Sequence, residues 1–149
     1  MPLPSAPTSC TSTDGGVSWT KTTSPYDGSY YGAVPFGDSG AVVFGLRGNA
    51  YKTSDVVAGP WTQIQTETVA SFFGGTALPD GGVALVGLAG AVVKLDPSDK
   101  ATKLRVKVRG TDALGRELDK DVTGSFSAAT AFAGGLLVVG EQGVQSLKL

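Results

Sequence analysis

The sequence of 149 residues contains no histidine, one methionine and a single cysteine, Cys10. Without histidine there is no Ser-His-Asp triad, no Cys-His pair and no imidazole base that titrates near neutral pH. A lone cysteine forms no disulfide within the chain and does not provide a mixed Cys/His zinc site. We therefore predict that the protein is not an enzyme and has no catalytic residues, no bound metal and no cofactor.

The chain also has little net charge and no long apolar run. Its formal net charge is −1, from 12 basic and 13 acidic residues, which gives no general basic surface for nucleic acid. The apolar stretch at 83–93 is broken by glycine and is far shorter than the roughly 20 residues that span a bilayer. Residues 1–10 lack the basic and apolar regions of a signal peptide. We predict no nucleic-acid partner and no membrane span.

Glycine is abundant. The 22 glycines and 8 prolines make up 30 of 149 residues, yet 41% of the sequence is hydrophobic. That composition is too apolar for a disordered linker and lacks the three-residue period of collagen. We therefore expect the glycines to mark turns between many short strands, in one all-β domain over residues 1–149.

An internal repeat organises these strands. The segments at 29–48 and 71–90 match with a constant displacement of 42, and a third begins at Ser125 and ends at Gly143. The step from Gly87 to Gly140 is 53, so about eleven residues are inserted before the third copy. Apolar runs alternate with turn sequences such as Gly37 to Gly40.

Four short strands in about 42 residues are typical of a β-propeller blade, a four-stranded antiparallel sheet. We assign the blade parts to 8–28, 29–67, 69–123 and 124–149, with a charged insertion at about 100–123. The prediction is about three to three and a half blades, which form a partial ring or half of an oligomeric ring. Known rings contain typically four to eight blades.

One local motif repeats with the same period. Residues 12–19 read Ser-Thr-Asp-Gly-Gly-Val-Ser-Trp, and a degenerate copy at 53–61 ends in Gly-Pro-Trp. The aspartate can accept backbone N–H bonds across a tight turn, glycine permits a positive φ, and tryptophan packs beneath the turn. We predict structural roles in these turns for Ser12, Asp14, Gly16, Trp19, Asp55, Gly59 and Trp61.

The motif and its spacing resemble those of Asp-box (BNR) β-propellers, and most closely those of the photosystem II stability/assembly factor-like family. The resemblance extends from Thr8 to Leu149. It implies a non-enzymatic propeller that acts as a scaffold for a protein partner in assembly or stability. It also suggests export to the periplasm or the cell exterior, although a photosystem role does not follow.

An alternative is a carbohydrate-active Asp-box module, either a degenerate glycosidase or sialidase or a glycan-binding domain. Sialidase-like catalysis requires an arginine cluster that holds the substrate carboxylate, together with a tyrosine nucleophile. The sequence has four arginines, and three of them lie in the charged insertion: Arg47, Arg105, Arg109 and Arg116. This distribution disfavours the enzyme but leaves glycan binding open.

The charged insertion contains a strictly alternating run, Lys-Leu-Arg-Val-Lys-Val-Arg at 103–109. As a single strand it would place Lys103, Arg105, Lys107 and Arg109 on one face, at the outer edge of its sheet. These cations either protect an exposed strand edge from aggregation or bind an acidic partner. Nearby acidic residues favour the first explanation, because they can pair with the cations.

Aromatic residues open equivalent strands in successive repeats. Packing between blades is the favoured interpretation, with ligand recognition as the alternative, for Tyr26, Tyr30, Tyr31, Phe72 and Phe73.

The two ends of the sequence match different parts of the repeat. Residues 8–13 match a third strand and residues from Trp19 onward a fourth, whereas the segment at 144–149 matches a third strand. The chain is therefore expected to be either a piece of a longer propeller or half of a homodimer that completes a six-bladed ring.

Overall fold

A computed structural model of the chain describes residues 8–111 and 113–149, without the side chains of residues 8 and 108–110. Those residues form β-strands joined by short loops and two short 3-10 turns. The strands are β1 (Thr8–Thr11), β2 (Thr20–Thr23), β3 (Tyr30–Phe36), β4 (Gly40–Gly45), β5 (Ala50–Thr53), β6 (Thr62–Gln63), β7 (Phe72–Ala77), β8 (Val83–Gly87), β9 (Val92–Leu95), β10 (Ala101–Leu104), β11 (Lys107–Thr111), β12 (Glu117–Asp121), β13 (Phe126–Phe132), β14 (Gly135–Gly140) and β15 (Gly143–Lys148).

All strand pairings are antiparallel, and within each sheet the hydrogen-bonded neighbours are consecutive in sequence. Sheet 1 is β1-β2, sheet 2 is β3-β4-β5-β6, sheet 3 is β7-β8-β9-β10 and sheet 4 is β13-β14-β15. The strands β11 and β12 form a separate charged hairpin. The prediction of an all-β chain with four-stranded antiparallel sheets is confirmed, whereas a propeller arrangement and the number of blades stay predictions.

The repeat is visible in the turns that follow β4 and β8. Both turns are 3-10, at Leu46–Gly48 and Leu88–Gly90, and both place a non-glycine residue in the left-handed region. Gly48 and Gly90 each have φ of +73°, a conformation that glycine adopts without the strain of a Cβ atom. A displacement of 42 therefore carries one turn onto the other in geometry as well as in sequence.

The first part of the core lies between sheets 2 and 3. Side chains alternate along each strand, so every sheet has two faces. Val42 and Phe44 of sheet 2 pack in one cluster with Leu85 and Val93 of sheet 3. All four are 2% exposed or less, and burial of side chains of this size stabilises the fold by about 1.5–3 kcal/mol each.

The second part of the core lies between sheets 3 and 4. Val86 and Val92, on the other face of sheet 3, pack with Leu136 and Val138 of sheet 4. Sheet 3 is therefore buried on both faces, and this explains why all five residues of β8 are buried.

The charged insertion differs from the prediction of one alternating strand. Residues 103–109 are divided between β10 and β11, and Arg105 and Val106 belong to neither strand. Val106 is 2% exposed and packs in the core between sheets 3 and 4, while Arg105 points to solvent. Val106 lies in the core at the break between β10 and β11, so residues 103–109 do not form a single strand. Lys103 and Leu104 lie on β10, one of the two edge strands of sheet 3, and an outermost blade strand over 103–109 is not formed.

Candidate functional site

The turn between β1 and β2 is organised around Asp14. The Ser18 N–H donates a hydrogen bond of 2.9 Å to Asp14 Oδ1, and the Ser18 hydroxyl donates one of 2.5 Å to Oδ2. Ser12 donates its hydroxyl to Oδ1 at 2.8 Å and accepts the Gly16 N–H at 2.8 Å. The predicted contacts between the carboxylate and the turn backbone are therefore present.

These hydrogen bonds stabilise the charged carboxylate. They lower the pKa of Asp14 to about 2, with the Ser18 hydroxyl as the largest cause and the Ser18 N–H next. The ionised carboxylate is therefore the hydrogen-bond acceptor that joins the two sides of this turn.

Trp19 closes the same turn. Its indole N–H donates to the Gly16 carbonyl at 3.1 Å, and a Cβ atom on Gly16 would lie 3.7 Å from the Trp19 ring. The ring therefore lies against its own turn as expected, yet 64% of the residue is exposed. Much of the indole surface remains available for a contact with another group.

The second copy of the motif forms a related turn around Asp55. Asp55 Oδ1 accepts the N–H groups of Val57 and Ala58 at 2.8 and 3.0 Å, and these bonds lower its pKa, the Ala58 bond most. Gly59, with φ of +65°, precedes Pro60 and leads into the half-buried Trp61. The predicted turn residues of this copy are thus placed at the loop between β5 and β6.

A third turn of this kind, which lacks a tryptophan, occurs at Asp96. Its Oδ1 atom accepts the N–H groups of Ser98 and Lys100 at 3.0 and 2.9 Å. The Ser98 hydroxyl donates at 2.7 Å and is the largest cause of the lowered pKa of Asp96.

The two tryptophans border one cleft between sheet 1 and sheet 2. Its volume is about 430 Å³. Sheet 2 contributes residues on one face of β3 and β4, and sheet 1 covers the opposite side. The cleft is lined by Ser9, Cys10, Thr11, Ser12, Trp19, Thr22, Pro25, Tyr30, Ala33, Ala41, Val43, Val56 and Trp61. The lining contains no aspartate, glutamate, lysine or arginine, so the cleft suits an uncharged and largely apolar group.

The candidate partner-binding cations Lys103, Arg105 and Lys107 lie beside acceptor groups of the chain itself. Lys103 Nζ donates to the Glu67 carbonyl at 3.0 Å, and Arg105 pairs with Asp121 at 3.1 Å. Lys107 lies opposite Asp121 in the register of the charged hairpin. The side chain of Arg109 lies outside the part of the chain that the structure describes. Asp121 pairs with Arg105 and lies opposite Lys107, which favours protection of a strand edge over capture of an acidic partner.

The predicted aromatic set divides into three environments. Phe72 is fully buried in the core, and Tyr31 and Phe73 pack against each other with ring centroids 5.6 Å apart. Tyr26 and Tyr30 contact each other, and both contact Tyr51, at centroid distances of 5.9 to 6.5 Å. Tyr31 and Phe73 thus pack between sheets 2 and 3, as the favoured interpretation holds, whereas Tyr30 and Tyr51 belong to the same sheet and do not pack between sheets. Tyr30 is the one ring of the predicted set that also lines the cleft.

Sequence reasoning missed the sheet 2 residues that line the cleft. Ala33 and Val43 are directly opposite each other in register, and Ala41 is two residues from Val43 on the same face. The available signal was the set of small side chains that share a face of β3 and β4. It was overlooked because alternation identifies two faces without showing which neighbour each one meets.

The chain matches no family model, no curated protein and no solved structure. In the range 8–111 and 113–149, no helix is long and apolar enough to cross a membrane. Among the same residues, no group of three or more histidine, cysteine, aspartate or glutamate side chains is placed to hold a metal ion.

Proposed function

We propose that the protein is a non-enzymatic binding scaffold of the β-propeller type, whose partner is a polypeptide that inserts apolar side chains into the cleft. The observation that carries the proposal is that Trp19 and Trp61 border the same uncharged cleft. Tryptophan is enriched where polypeptides bind one another, because one rigid side chain supplies a large contact area.

The repeat supports the propeller part of the proposal. In each pair of adjacent sheets the same kinds of positions pack together, as in the stacked blades of a ring. Two copies of the chain, each with three larger sheets, would place six sheets around one axis. The Asp-box family resemblance remains part of this proposal, with a role in assembly or stability as its functional content.

The protein contains two tryptophans, and both border the cleft, so intrinsic tryptophan fluorescence reports on this site alone. A displayed peptide library is selected against the chain immobilised at low density, so that each cleft is free. We expect enriched peptides to be apolar and uncharged, and to shift the tryptophan emission to shorter wavelength.

A pair of matched variants tests the location of peptide binding. Val56→Asp places a charge in the cleft, whereas Val69→Asp places one on a residue that is 86% exposed on the loop between β6 and β7. We expect Val56→Asp to weaken binding by more than about tenfold, since a carboxylate is costly to desolvate, and Val69→Asp to leave it unchanged. Equal binding by the two variants would contradict the proposal.

A second candidate function is binding of a neutral glycan. Ser9, Thr11 and Thr22 line the same cleft as the tryptophans, and a lining that combines aromatic rings with hydroxyl-bearing residues is suited to a sugar. Titration with neutral oligosaccharides, read by the same fluorescence, separates the two candidates. Saturable binding of a sugar without any peptide binding would favour the glycan.

A further inference from the structure

The repeat defines two kinds of sheet face. Displacements of 42 and 53 carry Val43 onto Leu85 and Val138, and carry Phe44 onto Val86 and Val139. We call the face that contains Val43, Leu85 or Val138 the receiving face, and the face that contains Phe44, Val86 or Val139 the presented face. Each larger sheet has one face of each kind.

The two interfaces among sheets 2, 3 and 4 each join a presented face to a receiving face. Phe44 of sheet 2 packs in the core with Leu85 of sheet 3. Val86 of sheet 3 packs in the same way with Val138 of sheet 4. The packing therefore has a direction, since each sheet presents to the sheet that follows it in sequence.

One presented face is open to solvent, on sheet 4. Val144 is paired with Val139 on this face and is 65% exposed, and Phe132 is 63% exposed. Ala128 and Thr130 of β13 share the face and are also exposed. The face is apolar apart from Thr130, Ser146 and Lys148, and in the described residues no other sheet covers it.

One receiving face also lacks a full sheet against it, on sheet 2. Its residues Ala33, Ala41 and Val43 form the wall of the cleft, and only sheet 1 lies on the other side. The two faces left over are thus one presented face and one receiving face, the combination that packs twice inside the chain.

The edge of sheet 4 has a matching feature. In sheets 2 and 3 the third strand pairs with a fourth, β5 with β6 and β9 with β10, but β15 has no fourth strand among the described residues. Gln145 of β15 has a buried Oε1 atom with no hydrogen-bond partner. A buried acceptor without a donor is costly, and a strand added at this edge brings donors close to it.

The repeat identifies the strand that fits this edge. Tyr51 lies opposite Gln63 in sheet 2, and in sheet 1 the corresponding pair is Cys10 opposite Lys21. Gln145 occupies on β15 the place that Cys10 occupies on β1. Lys21 of β2 would therefore lie opposite Gln145 if β15 took the place of β1, and its ammonium group is a hydrogen-bond donor.

A hydrogen bond between sheets points to the same arrangement. The Arg47 N–H donates to Ser71 Oγ at 3.1 Å, and the Ala89 N–H donates to Ser125 Oγ at 3.4 Å. Both bonds run from a turn of one sheet to the serine that opens the next. Ser29 holds this place before β3, and within the described part of the chain its hydroxyl accepts no such bond.

We infer that the cleft is occupied by sheet 4 of a second copy of this chain. This inference rests on the proposed function and names its partner. The open presented face of one copy packs on the receiving face of sheet 2 of the other, and β15 replaces β1 beside β2. Repetition of the contact in the opposite direction joins two copies through two equivalent interfaces.

The test measures mass in solution by sedimentation velocity at micromolar concentration. We expect the unaltered chain to have twice the mass of one chain. Ala33→Asp alters the exposed part of the receiving face, and Val144→Asp alters the presented face. Each is expected to raise the dimer dissociation constant more than about tenfold, because the interface would bury an unpaired carboxylate, whereas Val69→Asp leaves the mass unchanged.

Mixing shows whether the two faces meet each other. In a mixture of Ala33→Asp with Val144→Asp, the unaltered presented face of the first variant can pack on the unaltered receiving face of the second. We therefore expect a mixed dimer at concentrations at which each variant alone is monomeric. A monomeric unaltered chain would overturn the inference. A dimer that is indifferent to both substitutions, or a mixture that remains monomeric, would do so as well.

A reversible lock tests the exchange of β15 for β1 without disturbing either face. Thr11→Cys and Thr20→Cys, with Cys10→Ser, place two thiols directly opposite each other and leave Lys21 in place, so oxidation ties β2 to β1 within one chain. We expect oxidation to give monomers and reduction to restore dimers, while Thr20→Cys with Cys10→Ser is insensitive to oxidant. Dimers that persist with the disulfide formed would overturn the exchange.

A monomeric chain that still binds apolar peptides would overturn this inference and leave the proposed function intact.

Discussion

A Cβ atom placed on Gly74 would lie 2.8 Å from the Cα of Ala128 and 2.8 Å from the Ser127 carbonyl oxygen. The neighbours are backbone atoms, so they do not move aside as a flexible side chain would. Gly74 thus sets the distance between β7 and β13, and with it the packing of sheet 4 on sheet 3.

Gly74→Ala is therefore expected to destabilise the protein by about 1–3 kcal/mol, the usual cost of overpacking a close contact. Urea denaturation followed by circular dichroism measures this change. Ala77→Val, at an exposed position on the same strand, is the control and should alter stability by less than about 0.5 kcal/mol. Equal effects of the two substitutions would contradict the close approach of β7 and β13.

Adjacent phenylalanines on β7 provide a second prediction. Phe72 is fully buried and Phe73 is 38% exposed. Phe72→Ala should lower the free energy of unfolding by about 3–5 kcal/mol, because it leaves a cavity in the core between sheets 2 and 3. Phe73→Ala loses mainly its contact with Tyr31 and should cost about 0.5–1.5 kcal/mol. Chemical denaturation that showed the reverse order would contradict the assignment of faces on β7.

The turn at Asp14 predicts a pH dependence. The pKa of Asp14 in the folded state, about 2, lies below its ordinary value. The charged form is therefore favoured by folding, and its contribution to stability is present above about pH 4 and is lost as the pH falls towards 2. The carboxyl-carbon chemical shift of Asp14, followed by NMR, measures this pKa directly.

A pair of serine variants identifies the cause of the lowered pKa. Ser18→Ala removes the hydroxyl that bonds Asp14, so the pKa of Asp14 should rise towards its ordinary value. Ser24→Ala removes a hydroxyl that bonds the Tyr26 carbonyl instead and should leave the Asp14 pKa unchanged. A pKa that did not respond to Ser18→Ala would show that the turn is held in another way.

The ion pair of Arg105 with Asp121 should contribute little to stability. The two side chains are 80% and 46% exposed, and exposed pairs contribute about 0.2–1 kcal/mol. A double-mutant cycle of Arg105→Gln and Asp121→Asn should give a coupling energy within that range, which decreases as salt is added. A larger coupling would assign the charged hairpin a structural role that its exposure does not suggest.

The turns were predictable from the sequence because their contacts are local. Ser12, Asp14 and Ser18 lie within seven consecutive residues, so their spacing alone determines which hydrogen bonds can form. The strands of sheets 2 and 3 were predictable for a similar reason, since a displacement of 42 repeats the same turn signals.

The charged insertion was predicted wrongly because its alternation is also compatible with a broken strand. In a continuous strand, Val106 would lie on the apolar face. In the structure it is instead buried between sheets 3 and 4, at the break between β10 and β11. The gain from burying that side chain depends on residues from sheet 4, which lie far away in sequence.

The sequence by itself determined the all-β class, the repeat, the turns around Asp14 and Asp55, and the absence of histidine chemistry. Only the tertiary structure decided which face of each sheet meets the next and that Trp19 and Trp61 border one cleft. The physical reason is that hydrogen bonds within a turn are specified by near neighbours. Apolar burial has no direction of its own, so its partners are fixed only when the sheets pack.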